Sequence, residues 1–353
     1  MRQNKDYLIT EKPSRALLIF SIPMIIGNLF QQAYTIVDSA IVGRYVGETA
    51  LAAVGASYAL TSIFICIAIG GGIGASVIIS HHFGAHNYGR MKTCIRTALL
   101  SFLFISLILG GVGLIFSQQI MEVLNTPADA IDIAVTYLNI YFLGLPFLFM
   151  YNILSSMFNA LGESRIPLYL LIFSSVLNIF LDLYMVAVLN LGVAGAAYAT
   201  FISQGISAVL SLIIFVVTLQ QLQGKAEVWF SKTEFSDMSR IALPSILQQS
   251  TVSIGMMLVQ SVVNSFGTQI LAGFSAAMRI ESLCVVPMSA IGNAMSSYTA
   301  QNIGAEKEER ISQGYRAGNF MIIVIAVILC FFLEIAHKPL IALFLDNEPS
   351  AQT

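Results

Sequence analysis

His82-Phe83-Gly84-Ala85, followed by Arg90 and Arg96, recurs 220 residues later as Asn302-Ile303-Gly304-Ala305, followed by Arg310 and Arg316. Working outward at the same offset, Gly47 falls on Gly267, Leu51 on Leu271 and Ala52 on Ala272. A shift of one puts Pro23 on Pro244, and a shift of two puts Pro127 on Pro349. Residue by residue the match is thin. Its constant register over long apolar segments is the mark of a membrane protein built from two related bundles.

A chain of 353 residues with 57% hydrophobic and only 10% charged residues cannot hide that much apolar surface in a water-soluble core. It reads as an integral membrane protein whose first partner is the lipid bilayer. A net charge of -2 supplies no basic field for nucleic acid, so that partner class is set aside. Cys66, Cys94, Cys284 and Cys330 sit in or beside apolar stretches without CxxC spacing, and read as small packing residues. The polar start from Met1 to Arg15 runs into an apolar stretch long enough to span, and so reads as the lead-in to a helix rather than a cleavable signal peptide.

Stretches of about 20 apolar residues are long enough to cross a bilayer as helices. Nine are predicted, at 16–43, 50–80, 94–117, 131–158, 166–189, 193–219, 238–266, 270–300 and 316–336. Asn190-Leu191-Gly192 and Gly267-Thr268-Gln269 mark tight connections, and Gln220 to Asp237, with the lone Trp229 as an interfacial anchor, reads as the linker. Fourteen of the 17 lysines and arginines fall on one side of this nine-span arrangement, which puts the N-terminus in the cytoplasm of a multi-pass plasma-membrane protein. Six spans separate the two copies, and an even number restores the orientation, so the repeat is parallel. The predicted fold is all-α: a six-helix lobe at residues 1–222 and a partial second lobe of three helices at 223–353, about 90 residues short of a full copy.

Ionisable groups inside a membrane are expensive, at about 2.5 to 3.5 kcal/mol for an aspartate at a helix centre. Asp38 closes a stripe with Asn28, Gln31 and Thr35 whose spacings of three and four put it on one helix face. Asn178 and Asp182 in the fifth span also share a face. If the two faces meet, two carboxylates and an amide surround a site able to take a proton or Na+; the alternative is that each aspartate bonds a neighbouring helix. In the seventh span Ser245, Gln249, Ser253, Gln260 and Asn264 line up as a cavity wall or a hydrogen-bonded seam.

Other signals are weaker. Arg279, Glu281 and Glu334 read as locally paired or snorkelling. Pro23, Pro146, Pro244 and Pro287 permit kinks within spans. Gly70-Gly71-Gly72-Ile73-Gly74 lacks the lysine of a phosphate-binding loop and reads as close helix packing. His81, His82 and His86 read as a polar loop rather than a metal site.

Val37-Asp38-Ser39, the two Gly-Ala turns with Arg90 and Arg310, and Asn178-Ile179-Phe180-Leu181-Asp182 together resemble the multidrug and toxic compound extrusion family over essentially the whole chain. The resemblance implies twelve helices in two lobes around a central cavity, and the expected function is export of amphipathic organic cations in antiport with H+ or Na+ by alternating access. It implies that Asp38, Asn178 and Asp182, with Tyr137 and Thr200, form the cation-coupling site, where any Na+ would bind, and that the first helix bends at Pro23. Gln31, Tyr34, Gln249 and Gln260 are candidates for the wall of the substrate cavity. A branch of the family carries a glutamate in the seventh span where Val252 and its neighbours stand here. The expectation is a monomeric exporter of small drug-like molecules that needs no cofactor. The rivals are a lipid-linked oligosaccharide flippase, which should have a strongly cationic cavity, a membrane-embedded enzyme, for which no catalytic constellation is evident, and a channel.

Overall fold

The computed structural model describes residues 6–46, 48–124, 126, 130–264, 266 and 268–344. The repeat pairs Gly47/Gly267 and Pro127/Pro349 lie outside these residues, as do the side chains of Leu51, Ala52, Asn264, Leu271, Ala272 and Lys338. A single turn, α1 (Tyr7–Thr10), precedes α2 (Pro13–Val46), α3 (Glu48–Gly84), α4 (Tyr88–Val123), α5 (Ile131–Ala160), α6 (Arg165–Asp182) and α7 (Gly192–Gln220). The second copy supplies α8 (Lys232–Asn264), α9 (Thr268–Gly304) and α10 (Glu308–Phe344). Among the described residues no strand occurs, and nine helices are long and apolar enough to cross a membrane, one for each predicted span.

The repeat is visible in how helices end. At the end of α3, Ala85 N donates to His81 O and Asn87 N to His82 O, each at 3.0 Å. At the end of α9, Ala305 N donates to Gln301 O and Lys307 N to Asn302 O, each at 2.9 Å. In each, the residue between is left-handed, His86 at φ 53° and Glu306 at φ 58°. This Schellman-type cap satisfies the last carbonyls and turns the chain sharply into the next helix. Asn87 then caps α4 by accepting from Arg90 N at 3.2 Å.

Helix α3 is the centre of the packing, with α4 and α5 on one side and α8 and α9 on the other. Its glycines explain the closeness. A Cβ on Gly70 would stand 2.6 Å from Ile246, and one on Gly74 2.5 Å from the Met238 carbonyl, both on α8. The Gly70–Gly74 cluster is thus a helix-packing strip, as its sequence suggests. Where α2 meets α9, Ala16, Leu17 and Phe20 pack with Ala294 and Tyr298 and with Tyr7 and Leu8 of α1. All four cysteines are free, with Cys66 and Cys94 buried.

Each pre-helix segment is also tied across to the other copy. Leu8, Ile9 and Glu11, ahead of α2, lend their carbonyls to Asn302, Lys307 and Arg310 at the α9–α10 turn. Leu222 and Gly224, ahead of α8, lend theirs to Lys92 on α4, and Glu227 N and Ser231 N donate to Thr93 and Thr97. The predicted linker is therefore shorter than 220–237, because α8 has already begun at Lys232, and it is held rather than free. Trp229 is 75% exposed with the Arg96 guanidinium 4.7 Å from its ring centroid, as suits an interfacial anchor. All these ties lie at one end of the bundle. Towards the other end of the same helices, a Cβ on Gly55 of α3 or Gly255 of α8 would meet no atom within 4 Å. The copies close at the basic end, and towards the other Leu60, Ser62 and Ile63 of α3 share a hollow of about 420 Å³ with Ser253, Ile254 and Met257 of α8.

Candidate functional site

Four helices bring polar side chains to one point inside the first copy. α2 contributes Tyr34 and Asp38, four residues apart and so on one face. Asn178 and Asp182 come from the last turns of α6, and are 1% and 0% exposed. Helix α5 supplies Tyr137 and α7 supplies Thr200. Immediately after Asp182 the chain widens into π-helical turns at Leu183–Val188. Such a widening departs from the i to i−4 ladder and frequently marks a functional position; no pattern in the apolar sequence 183–188 announces it.

The carboxyl groups of Asp38 and Asp182 face each other within hydrogen-bonding reach. A bond between two carboxyls requires a proton on one of them, since two carboxylates only accept. With the Asn178 amide turned to satisfy its neighbours, Nδ2 donates to Asp182 Oδ2 and lies equally close to Tyr34 OH, both at 2.8 Å. Its oxygen accepts from Thr200 N at 3.2 Å. The Tyr34 side chain also lies within reach of Thr200. Asp182 Oδ1 is buried with no hydrogen-bond partner. An orphaned buried acceptor beside a carboxyl pair is the kind of atom a proton or a small hard cation satisfies. Next to it, Tyr137 and Thr200 line a crevice of about 20 Å³ with Tyr141, Gly144 and Gln204, room for about one water.

Asn178, Asp182 and Thr200 are therefore joined by hydrogen bonds, with Asp38 facing Asp182 and Tyr137 beside Thr200 on the crevice wall. Tyr34, expected on a cavity wall, stands inside this cluster; its spacing of four from Asp38 was the available signal. The remaining cavity candidates are elsewhere. Gln31 is exposed on α2, and Gln249 is half-buried on α8. Gln260 lines a hollow of about 510 Å³ with Ser62, Val252, Ser253, Met256 and Met257. Ser253 also lies 3.5 Å from Cys66 Sγ, so the polar face of α8 is both seam and wall. Arg279, Glu281 and Glu334 are exposed. Among the described residues no group of three metal-ligating side chains forms; His82 pairs with Glu234 and His86 with Tyr88.

A family model described as MatE matches residues 23–184 and 244–352. The probable multidrug resistance protein YpnP of Bacillus subtilis (strain 168) is 34% identical over 298 residues, covering 84% of this chain and 66% of the relative. The probable multidrug resistance protein YoeA of the same organism is 29% identical over 367 residues, covering 99% of this chain and 78% of the relative. Among solved structures, a transporter of the MOP superfamily from Pyrococcus furiosus superposes with a TM-score of 0.90 at 25% identity, covering 100% of this chain and 78% of that one. The chain thus spans just under two thirds of the length of the first of these relatives.

Proposed function

We propose a transport function from the premise that the chain belongs to the MatE family: a secondary active exporter of amphipathic organic cations, driven by H+ or Na+. The observation that carries this reading is the carboxyl pair of Asp38 and Asp182, tied to Asn178, Tyr34 and Thr200 within the apolar span region. Such a pair has no structural necessity. An apolar core would pack as well without the desolvation cost of two acids.

The arrangement suits a loaded state. With one proton shared, the pair carries at most one charge, and the Asn178 amide can point its N–H groups inward. Losing that proton leaves two carboxylates facing each other in a low dielectric, which the site relieves by reprotonation or by taking Na+ on the oxygens of Asp38, Asp182 and Thr200. Na+ would also require the Asn178 amide to turn its oxygen inward. Helix α2 links this event to the closed end, where it packs against α9. Pro23 lies between the part of α2 packed against α9 and the part bearing Tyr34 and Asp38. Its ring removes one backbone hydrogen bond, so bending there is the least costly way for ion exchange to move one part relative to the other.

Arg90, Lys92, Arg96, Arg165, Lys225, Lys232, Arg240, Lys307, Arg310 and Arg316 support assigning the closed end to the cytoplasm. The hollow around Gln260 has no charged residue in its lining, which favours an exporter over an oligosaccharide flippase needing a cationic cavity. Residues 1–222 would form the lobe that holds the ion, and 223–353 its partner. The test is ethidium efflux from vesicles under an imposed pH or Na+ gradient. Gradient-dependent efflux that Asp38→Asn abolishes supports the proposal and names the ion; efflux unchanged by Asp38→Asn overturns it.

A further inference from the structure

Among the ties between the two copies at the closed end is a near-buried ion pair. His82 Nε2 on the last turn of α3 lies 3.1 Å from Glu234 Oε2 on the first turn of α8, with side chains 12% and 11% exposed. Glu234 sits at a helix N-terminus whose N–H is held by Ser231 Oγ at 3.3 Å, and His82 at a helix C-terminus. The partial charges of both helix ends are thus aligned with an imidazolium–carboxylate pair. The other titratable groups around it are His81, whose ring centroid is 5.6 Å from that of His82, Asp237 one turn along α8, and Cys94 on α4, which lies in the field of Glu234 and Asp237. Gln301 of α9, which closes on Gly84, does not titrate. The fixed cations on the neighbouring elements have other contacts: Lys92 on α4 donates to the carbonyls of Leu222 and Gly224, Arg96 on α4 stacks on Trp229, Arg240 on α8 faces Asp237 at 4.0 Å, and Lys232 on α8 is exposed.

We propose that His82 and Glu234 form a second proton site, distinct from the aspartate pair, that latches the closed end. Protonated His82 makes a charged, hydrogen-bonded pair across the α3–α8 seam. Neutral His82 leaves a nearly buried carboxylate with one weaker hydrogen bond. Opening of this end is then favoured when the compartment it faces is alkaline enough to remove that proton. The inference rests on the proposed transport function, in which the closed end must open for substrate to enter, but its readout is a distance and not transport.

The test uses the full chain with its four cysteines replaced by alanine, spin-labelled at the exposed positions Ala85 and Ser236, in vesicles. Distances are compared at about pH 5.5 and about pH 8.5. The population at the short distance should fall at least about threefold at the higher pH, and His82→Gln and Glu234→Gln should each remove that dependence. His82→Lys, which keeps the charge throughout this range, should hold the short distance at both pH values and separates loss of the latch from loss of the fold. A pH response that survives in His82→Gln, or a His82→Lys chain that still opens at the higher pH, overturns the latch. Loss of efflux with an intact distance response would instead count against the transport reading alone.

Discussion

Gly84 and Gly304, 220 residues apart, make reciprocal contacts at the closed end: a Cβ on Gly84 would collide with the Gln301 carbonyl, and one on Gly304 with the His81 carbonyl. Since 301 is also 220 beyond 81, the two contacts are images of one another across a local two-fold. Crossing helices approach this closely only where side chains are absent. The same residues that announce the duplication in the sequence are therefore those on which its copies meet.

Gly84→Leu or Gly304→Leu should force the helix ends apart. Overpacking of a tight contact costs about 1–3 kcal/mol, and the two substitutions act on one crossing, so the double variant should fall well short of additivity. Thermal unfolding of the two single variants and the double variant measures this; full additivity would show that the two contacts are independent.

Arg310 and its counterpart Arg90 should behave differently. Arg310 donates from Nε to Asn302 Oδ1 at 2.9 Å and from Nη2 to the carbonyls of Leu8 at 3.2 Å and Glu11 at 2.6 Å, whereas Arg90 is exposed. Arg310→Ala removes charge-assisted bonds worth about 1.5–3 kcal/mol and should release the N-terminal segment to proteolysis. Arg90→Ala should change stability by no more than about 0.5 kcal/mol. Equal protease sensitivity in the two variants would refute the asymmetry.

Tyr7 gives the closed end an alkaline limit. Its hydroxyl donates to Gly162 O at 2.9 Å, and burial, aided by Glu163 and opposed by Arg165, pushes the phenol above its ordinary value. A raised folded pKa means the unfolded chain ionises first. The contribution is therefore complete below about pH 10 and is lost above it. Amide exchange in Tyr7–Thr10 should accelerate there more than exchange rates alone require, and Tyr7→Phe should remove that excess while costing about 1 kcal/mol at neutral pH.

The fold was legible because membrane spans declare themselves by length and apolarity, and because Gly84, Gly304 and the arginines after them keep register. Asp38, Asn178 and Asp182 were legible because charge and amide inside apolar helices have few innocent explanations. Less was readable where the cause is tertiary. The spacing of Tyr34 from Asp38 fits the cluster, yet a tyrosine suits a cavity wall equally well until the position of α6 is known. The widened turn after Asp182 depends on backbone pairing that Leu183–Val188 does not encode by pattern. His82 reads as a loop residue because its partner lies 152 residues away.

Asn178 and Asp182 separate architecture from coupling. Asn178 is the bridge: its amide meets Asp182 and Tyr34 on one side and Thr200 on the other. Asn178→Ala leaves the buried Asp182 carboxyl and the Tyr34 hydroxyl short of a partner, at about 1–3 kcal/mol for a buried group left unsatisfied, and should lower both the melting temperature and efflux. Asp182→Asn keeps the shape and can still hydrogen-bond Asp38, and it can neither carry the exchangeable proton nor offer a second carboxylate to Na+. It should therefore retain a melting temperature near that of the parent chain while efflux falls by at least about tenfold. The two readouts need to be taken on the same preparations. If Asp182→Asn unfolds as readily as Asn178→Ala, the carboxyl at 182 is helix-bonding architecture, and ion coupling must be sought elsewhere in the chain.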